Sequence, residues 1–193
     1  LTRDEAAKLI AALPVHLARM VRFSLATGLR QANVTGLLWS DVSLERRQAW
    51  VWADSAKGRR NIAVPLNDAA VAVLEEARAC PLHGDARHCF TYHKHAVEQP
   101  NGAAWQKALE RTNIKDFRWH DLRHTWASWL VQAGTPISVL KEMGGWETID
   151  MVMRYAHLAP NHLAEHAKQI DGMLNANDTN TTQDLFVSPL KQM

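Results

Sequence analysis

Three side chains that bind and move charge stand together in His120-Asp121-Leu122-Arg123-His124. On a helix turning about 100° per residue, Arg123 and His124 fall within roughly 60° of His120, while Leu122, Trp126, Trp129 and Leu130 gather on the other side. Small Ala127 leaves room beneath the polar group. A guanidinium and an imidazole three residues apart can reach one anion together. A solvated helix face has the same pattern, so this segment alone leaves both readings open.

Metal binding is the weaker use of these residues. His120 and His124 are four apart, as helix-borne ligands can be, but a zinc protease pattern needs Glu after the first His and this chain has Asp121. Arg123 beside the pair would repel a cation. Cys80, His83, His88 and Cys89 form a second candidate group, and their spacing matches no familiar zinc finger. The expectation is therefore no metal. Two cysteines are too few for a disulfide framework and suit a reducing compartment.

The elements that must position these groups can be read from 193 residues with 47% hydrophobic content and a net charge of +2. That is the size of one domain with a substantial core, and the composition excludes a wholly disordered chain. No apolar run is long enough to span a bilayer and no signal-peptide pattern opens the chain, so no membrane partner is expected. Residues 171–193 hold Asp171, Asp178 and Asp184 against Lys191, which leaves an excess of four positive charges on the rest. That excess is a mild pointer to an acidic partner such as nucleic acid.

Thr2-Arg3-Asp4-Glu5 has the form of a capping box, in which the hydroxyl and the carboxylate each take an amide of a starting helix. Ala6, Leu9, Ile10 and Leu13 follow at helical spacing, and Pro14 closes that helix or opens the next. A second helix carries Leu17, Val21 and Leu25 to a stop at Gly28. Arg30 lies just past the stop, and a shorter helix holds Val34, Leu37 and Leu38. Ala49–Ala53 and Asn61–Val64 read as a hairpin around Lys57-Gly58-Arg59-Arg60, with Asp41–Leu44 as a third strand. From Asn67 the signals are helical, clearest from Asp121 to Ala133. Gly134 closes that helix, and Thr135-Pro136 opens another with an N-cap and a first-turn proline. The fold class is mixed α+β, mostly α-helical with a small three-stranded antiparallel sheet and a polar tail from about Asn175.

The stretch Ala26-Thr27-Gly28-Leu29-Arg30-Gln31-Ala32-Asn33-Val34-Thr35-Gly36-Leu37-Leu38-Trp39-Ser40-Asp41-Val42, taken with His120-Asp121-Leu122-Arg123-His124-Thr125 and Met153-Arg154-Tyr155-Ala156-His157-Leu158, resembles the catalytic domain of the tyrosine recombinases, the phage integrase family. An early Arg, a hairpin Lys, His-x-x-Arg, a His or Trp after Gly, and then Tyr occur in the family's order, across roughly Leu1 to Ile170. The resemblance implies that family's DNA breaking and rejoining fold over residues 1–172. It leaves 173–193 as a C-terminal tail, flexible or exchanged between protomers, with the family's N-terminal core-binding domain absent from this chain.

The resemblance also assigns roles. Arg30 and Arg123 would clamp the phosphate, because charge develops on its non-bridging oxygens and forked guanidiniums match that geometry. Tyr155 would be the nucleophile; a free phenol has a pKa near 10, so it needs cations or a base beside it, and Arg30, Arg123 and His120 would supply both. His120 would be the main acid/base imidazole, with His124 supporting by hydrogen bonding. Lys57 would protonate the departing 5′-oxygen, and Arg59 and Arg60 would hold phosphates. Trp146 stands where the family has His or Trp, and can donate one N–H to a phosphate oxygen or buttress Tyr155. Asn33 stands where family members often carry Glu.

The implied function is site-specific recombination for a phage or mobile element, through a 3′-phosphotyrosyl intermediate that needs no cofactor because it keeps the energy of the broken bond. The implied partners are double-stranded attachment sites, a homotetramer formed on DNA by chains that are monomeric when free, and DNA-bending proteins, all in the bacterial cytoplasm. Type IB topoisomerase activity and a non-cleaving, recombinase-derived regulator are the alternatives.

Overall fold

The computed structural model describes residues 1–52, 61–80 and 87–160, with 167, 168 and 170. The chain divides into two units, Leu1–Ala159 and Pro160–Met193. Lys57, Arg59 and Arg60 of the basic hairpin loop, His83, and the 173–193 tail lie outside the described residues.

Helix α1 (Arg3–Ala12) starts on the expected capping box. The Thr2 hydroxyl accepts from the Glu5 amide at 3.1 Å and the Glu5 carboxylate accepts from the Thr2 amide at 2.7 Å. Pro14 is the N-cap of α2 (Val15–Thr27), which ends at Gly28 in the left-handed region with φ 66°. Helix α3 (Gln31–Thr35) is shorter than its apolar spacing suggests. Leu37 and Leu38 leave it because their backbone pairs elsewhere: the Leu37 carbonyl accepts from Cys89 at 2.9 Å, and Leu38 bridges His88.

The three-stranded antiparallel sheet is β1 (Val42–Ser43), β2 (Gln48–Val51) and β3 (Ile62–Pro65), in that order. Ala49 faces Val64 and Val51 faces Ile62 across the ladder. Ala49, Val51 and Val64 are buried, so one face of the pleat lies on the core. Helix α4 (Asp68–Arg78) follows, capped by the Asn67 side chain. A second, two-stranded hairpin, β4 (Thr91–Tyr92) and β5 (His95–Ala96), has no counterpart in the sequence reading. Its turn residues His93 and Lys94 take positive φ without the glycine that marks such turns.

Helices α5 (Ala103–Thr112), α6 (Asp121–Gln132), α7 (Ile137–Gly144) and α8 (Asp150–Met153) complete the first unit. Helix α7 starts one residue later than expected: Pro136 is its N-cap, and no side chain caps it. Thr135 instead uses its amide to close the end of α6 on the Leu130 carbonyl, at 3.0 Å. The result is a mostly helical domain with a small antiparallel sheet, as composition and spacing imply.

Helix α6 runs between two buried clusters. Leu122 belongs to the larger, with Leu9, Met20, Phe23 and Trp105. Trp126, Ala127 and Val131 belong to the smaller, with Leu140, Val152 and Tyr155. Each fully buried Leu, Val or Phe contributes roughly 1.5–3 kcal/mol, so α6 is held from both sides. Trp129 and Leu130, expected on its buried stripe, are only half-buried, whereas Arg123, Thr125 and Ala127 are buried.

Candidate active site

The end of α2 sets the first wall. Gly28 turns the chain with its amide on the Ser24 carbonyl at 2.8 Å, which leaves the Gly28 carbonyl free to face α6. Two residues on, Arg30 occupies the N-cap position of α3 in extended backbone, and its carbonyl takes the amides of Asn33 and Val34. The backbone there is fixed by helix initiation, so the Arg30 side chain projects from a rigid point. Asn33, in α3, is buried.

Arg123 departs from its expected place on a polar helix face. It is 5% exposed, because α2 packs on one side of α6 and α7 on the other. Its guanidinium donates from Nη1 to the Gly28 carbonyl at 2.7 Å and from Nη2 to the Gly144 carbonyl at 2.5 Å. The Trp146 ring covers it, with the guanidinium carbon 4.0 Å from the ring centroid. Burial, aided by the nearby Arg30 charge, lowers the Arg123 pKa to about 10, which still leaves it charged at neutral pH. The carbonyls and the π face partly replace the water it loses.

Trp146 follows Gly145, which ends α7 at φ 60°. Its ring lies 6.1 Å from that of Trp126 and 6.2 Å from that of Tyr155, centroid to centroid. Its broad face is therefore used on Arg123, more directly than on the tyrosine.

Tyr155, at the turn after α8, is 5% exposed. Its hydroxyl meets Nδ1 of His124 at 2.5 Å. The His120 ring lies next to that of His124, edge to face at 5.0 Å, and both line the same cleft. Burial raises the Tyr155 pKa above the usual phenol value, against the opposing pull of Arg154 and Arg123. In this environment burial outweighs the nearby cations, so the phenol is a weaker acid than in water. Burial lowers the pKa of both His120 and His124, so each imidazole is more readily neutral than in water.

Arg30, His120, Arg123, His124, Trp146 and Tyr155 line one open cleft of about 690 Å³, with Arg154, Glu147, Asp150 and Met151. Six of the nine residues singled out from the sequence thus meet in one place, and Lys57, Arg59 and Arg60 are the three that lie outside the described residues. Arg154 was not singled out. Its signal was its place directly before Tyr155 in Met153-Arg154-Tyr155-Ala156-His157-Leu158. Among the described residues no group of three or more His, Cys, Asp or Glu is arranged to hold a metal. Cys89, of the second candidate group, is buried, and burial pushes its thiol well up.

Chemically, the cleft is lined by three guanidiniums, two neutral-leaning imidazoles and a phenol. That set suits attack by an oxygen nucleophile on a phosphodiester. A model of the phage integrase family matches residues 1–162. The chain is 46% identical to the integrase of Salmonella phage P22, over 91% of this chain and 48% of that protein. It spans about half the length of the curated relatives it matches. Among solved structures, the catalytic domain of bacteriophage HP1 integrase superposes with a TM-score of 0.66 at 25% identity, over 95% of this chain and 98% of that one. The XerA recombinase gives 0.68 at 25% identity, over 88% and 64%.

Proposed function

Because this chain belongs to the phage integrase family of tyrosine recombinases, we propose that it is the catalytic part of a site-specific DNA recombinase serving a phage or mobile element. Tyr155 attacks a DNA phosphodiester and becomes joined to the 3′-phosphate, releasing a 5′-hydroxyl that later attacks the partner strand. The observation that carries this reading is the convergence of the Tyr155 hydroxyl, both imidazoles, Arg30 and Arg123 on one cleft.

In this mechanism Arg30 and Arg123 receive the non-bridging oxygens, where negative charge grows in the transition state. Arg123 brings its remaining N–H groups already oriented, because Gly28 and Gly144 hold the fork. His120, at the start of α6, hydrogen-bonds a phosphate oxygen. Trp146 holds Arg123 flat, and Arg154 adds a third positive charge at the mouth. Lys57 protonates the leaving 5′-oxygen, with Arg59 and Arg60 on flanking phosphates. The partners are duplex attachment sites, further copies of the chain assembled as a tetramer on DNA, and proteins that bend it, in the cytoplasm of the host. No helix among the described residues is long and apolar enough to cross a membrane.

The test is covalent trapping at low salt, on a duplex carrying a 5′-bridging phosphorothiolate at the candidate attachment site. An SDS-resistant protein–DNA band is expected from the wild-type chain and none from Tyr155→Phe. A DNA-bound chain that never forms the band would favour a non-cleaving regulator. Relaxation of plasmid lacking any paired site would favour topoisomerase-like action.

A further inference from the structure

We infer that His124, rather than His120, is the proton acceptor for Tyr155: its Nδ1 takes the phenolic proton as the oxygen attacks phosphorus. The inference rests on the recombinase reading above and deepens it. Two imidazoles stand one helical turn apart at the start of α6, and sequence spacing does not choose between them. The tertiary contacts do. Tyr155 sits in the smaller core cluster with Ala127 and Val131, so its hydroxyl comes up against α6 beside His124, at 2.5 Å from Nδ1. His120 lies a turn earlier with its ring against that of His124; both imidazoles line the cleft, and it is His124 that meets the Tyr155 hydroxyl.

The charges around His124 suit a base. His120, Asp121 and Arg123 face it from α6, and Arg154 and Tyr155 from the turn after α8. Burial is the largest influence and disfavours the imidazolium; His120, Arg154 and Arg123 act the same way, and Asp121 alone opposes them. A neutral imidazole whose Nδ1 accepts must carry its proton on Nε2. The phenol is the weaker for its burial, so a base in contact with it has more to contribute than one at a distance.

In the forward step the Oη–H bond breaks and its proton passes to Nδ1 while an Oη lone pair forms the bond to phosphorus. The P–O5′ bond breaks with its electron pair on O5′, which takes a proton from the ammonium assigned above or from water. In rejoining, the 5′-hydroxyl gives its proton back to that amine or to water as O5′ attacks phosphorus, the P–Oη bond breaks with its electron pair on Oη, and the His124 imidazolium returns the proton to Oη. His120 is left to serve the phosphate alone.

The test uses the whole chain on a nicked duplex library with a randomised cleavage strand. Adduct formation is timed between about pH 6 and 10, the range that spans imidazole and phenol ionisation, with DNA affinity measured alongside by anisotropy. Asparagine can accept the phenol's hydrogen bond but cannot take its proton, so His124→Asn separates positioning from proton transfer. His124→Asn and His124→Ala should both be about 100-fold slower near neutral pH at unchanged DNA affinity. Their deficit should shrink as pH rises and the phenolate forms unaided, whereas the deficit of His120→Asn should persist.

An H124N rate within about threefold of wild type, or a deficit independent of pH, makes His124 a positioning residue and overturns the assignment. A wild-type chain that forms no adduct on DNA it binds fails the recombinase reading itself, and the assignment with it. A readout without turnover guards against a variant that does not fold: ¹⁵N NMR of the wild-type chain should find His124 protonated on Nε2 and bare on Nδ1 at neutral pH. The opposite tautomer overturns the assignment.

Discussion

Arg123 is a full charge in a buried place, and its neighbours explain why it stays there. Two backbone carbonyls and an indole face surround the guanidinium, each from a different segment of the chain. Lysine at this position is not a conservative change, since one ammonium cannot span Gly28 and Gly144 as a fork does. An orphaned buried carbonyl costs about 1–3 kcal/mol. Arg123→Lys should therefore lower the urea midpoint measurably and reduce adduct formation by about 10²–10³-fold, as loss of an oriented transition-state donor does. Wild-type stability in R123K would mean that the two carbonyls find other partners. At this scale the residue types were legible in the sequence: a guanidinium, two imidazoles and a phenol announce phosphoryl chemistry wherever they meet. Which imidazole touches the phenol was not, because His120 and His124 occupy the same helix face and the choice depends on a residue 31 positions away.

Elements bring these groups together through two close approaches that only glycine allows. A Cβ on Gly28 would stand 2.2 Å from Trp126 Cε3, and one on Gly144 would stand 1.9 Å from Trp146 Cζ3. Gly28 also has φ 66°, where alanine is strained by about 1 kcal/mol. Gly28→Ala should cost about 2–4 kcal/mol, combining that strain with overpacking against the indole; urea unfolding measures it, and a shift under about 0.5 kcal/mol would contradict the packing. Gly144→Ala should act on activity as much as on stability, since the displaced Trp146 no longer covers Arg123. Slow adduct formation with normal DNA affinity is the expected signature. The sequence showed Gly28 as a helix stop, which is a local property. That its carbonyl holds Arg123, 95 residues on, is a property of helix packing that no local pattern encodes. The short α3 was misread because long-range backbone pairing of Leu37 and Leu38 outweighed local propensity, and the β4–β5 hairpin was missed because His93 and Lys94 take positive φ without the usual glycine signal.

Across the molecule, three partly buried histidines tie folding to pH. Burial is the first cause lowering the pKa of His16, which stacks on Tyr92 at 3.9 Å, and of His120 and His124. With folded pKa values below the unfolded value of about 6.5, the unfolded chain binds more protons in the window beneath it. Stability from these groups is complete above that value and declines as pH falls through the window. The melting temperature should thus drop between about pH 7.5 and 5.5, before carboxylates such as Glu5 begin to titrate; a flat profile there would contradict the burial of all three. By itself, the sequence determined the fold class, the capped start of α1 and the stop of α2 at Gly28, the order of the chemical groups and the family they resemble, because caps, periodicity and motif spacing are short-range signals. Only the tertiary structure decided that Arg123 is buried and forked between two glycine carbonyls, that Trp146 covers it, and that His124 meets Tyr155. Those facts arise where α2, α6, α7 and the turn after α8 converge, and separation along the chain carries no information about such convergence.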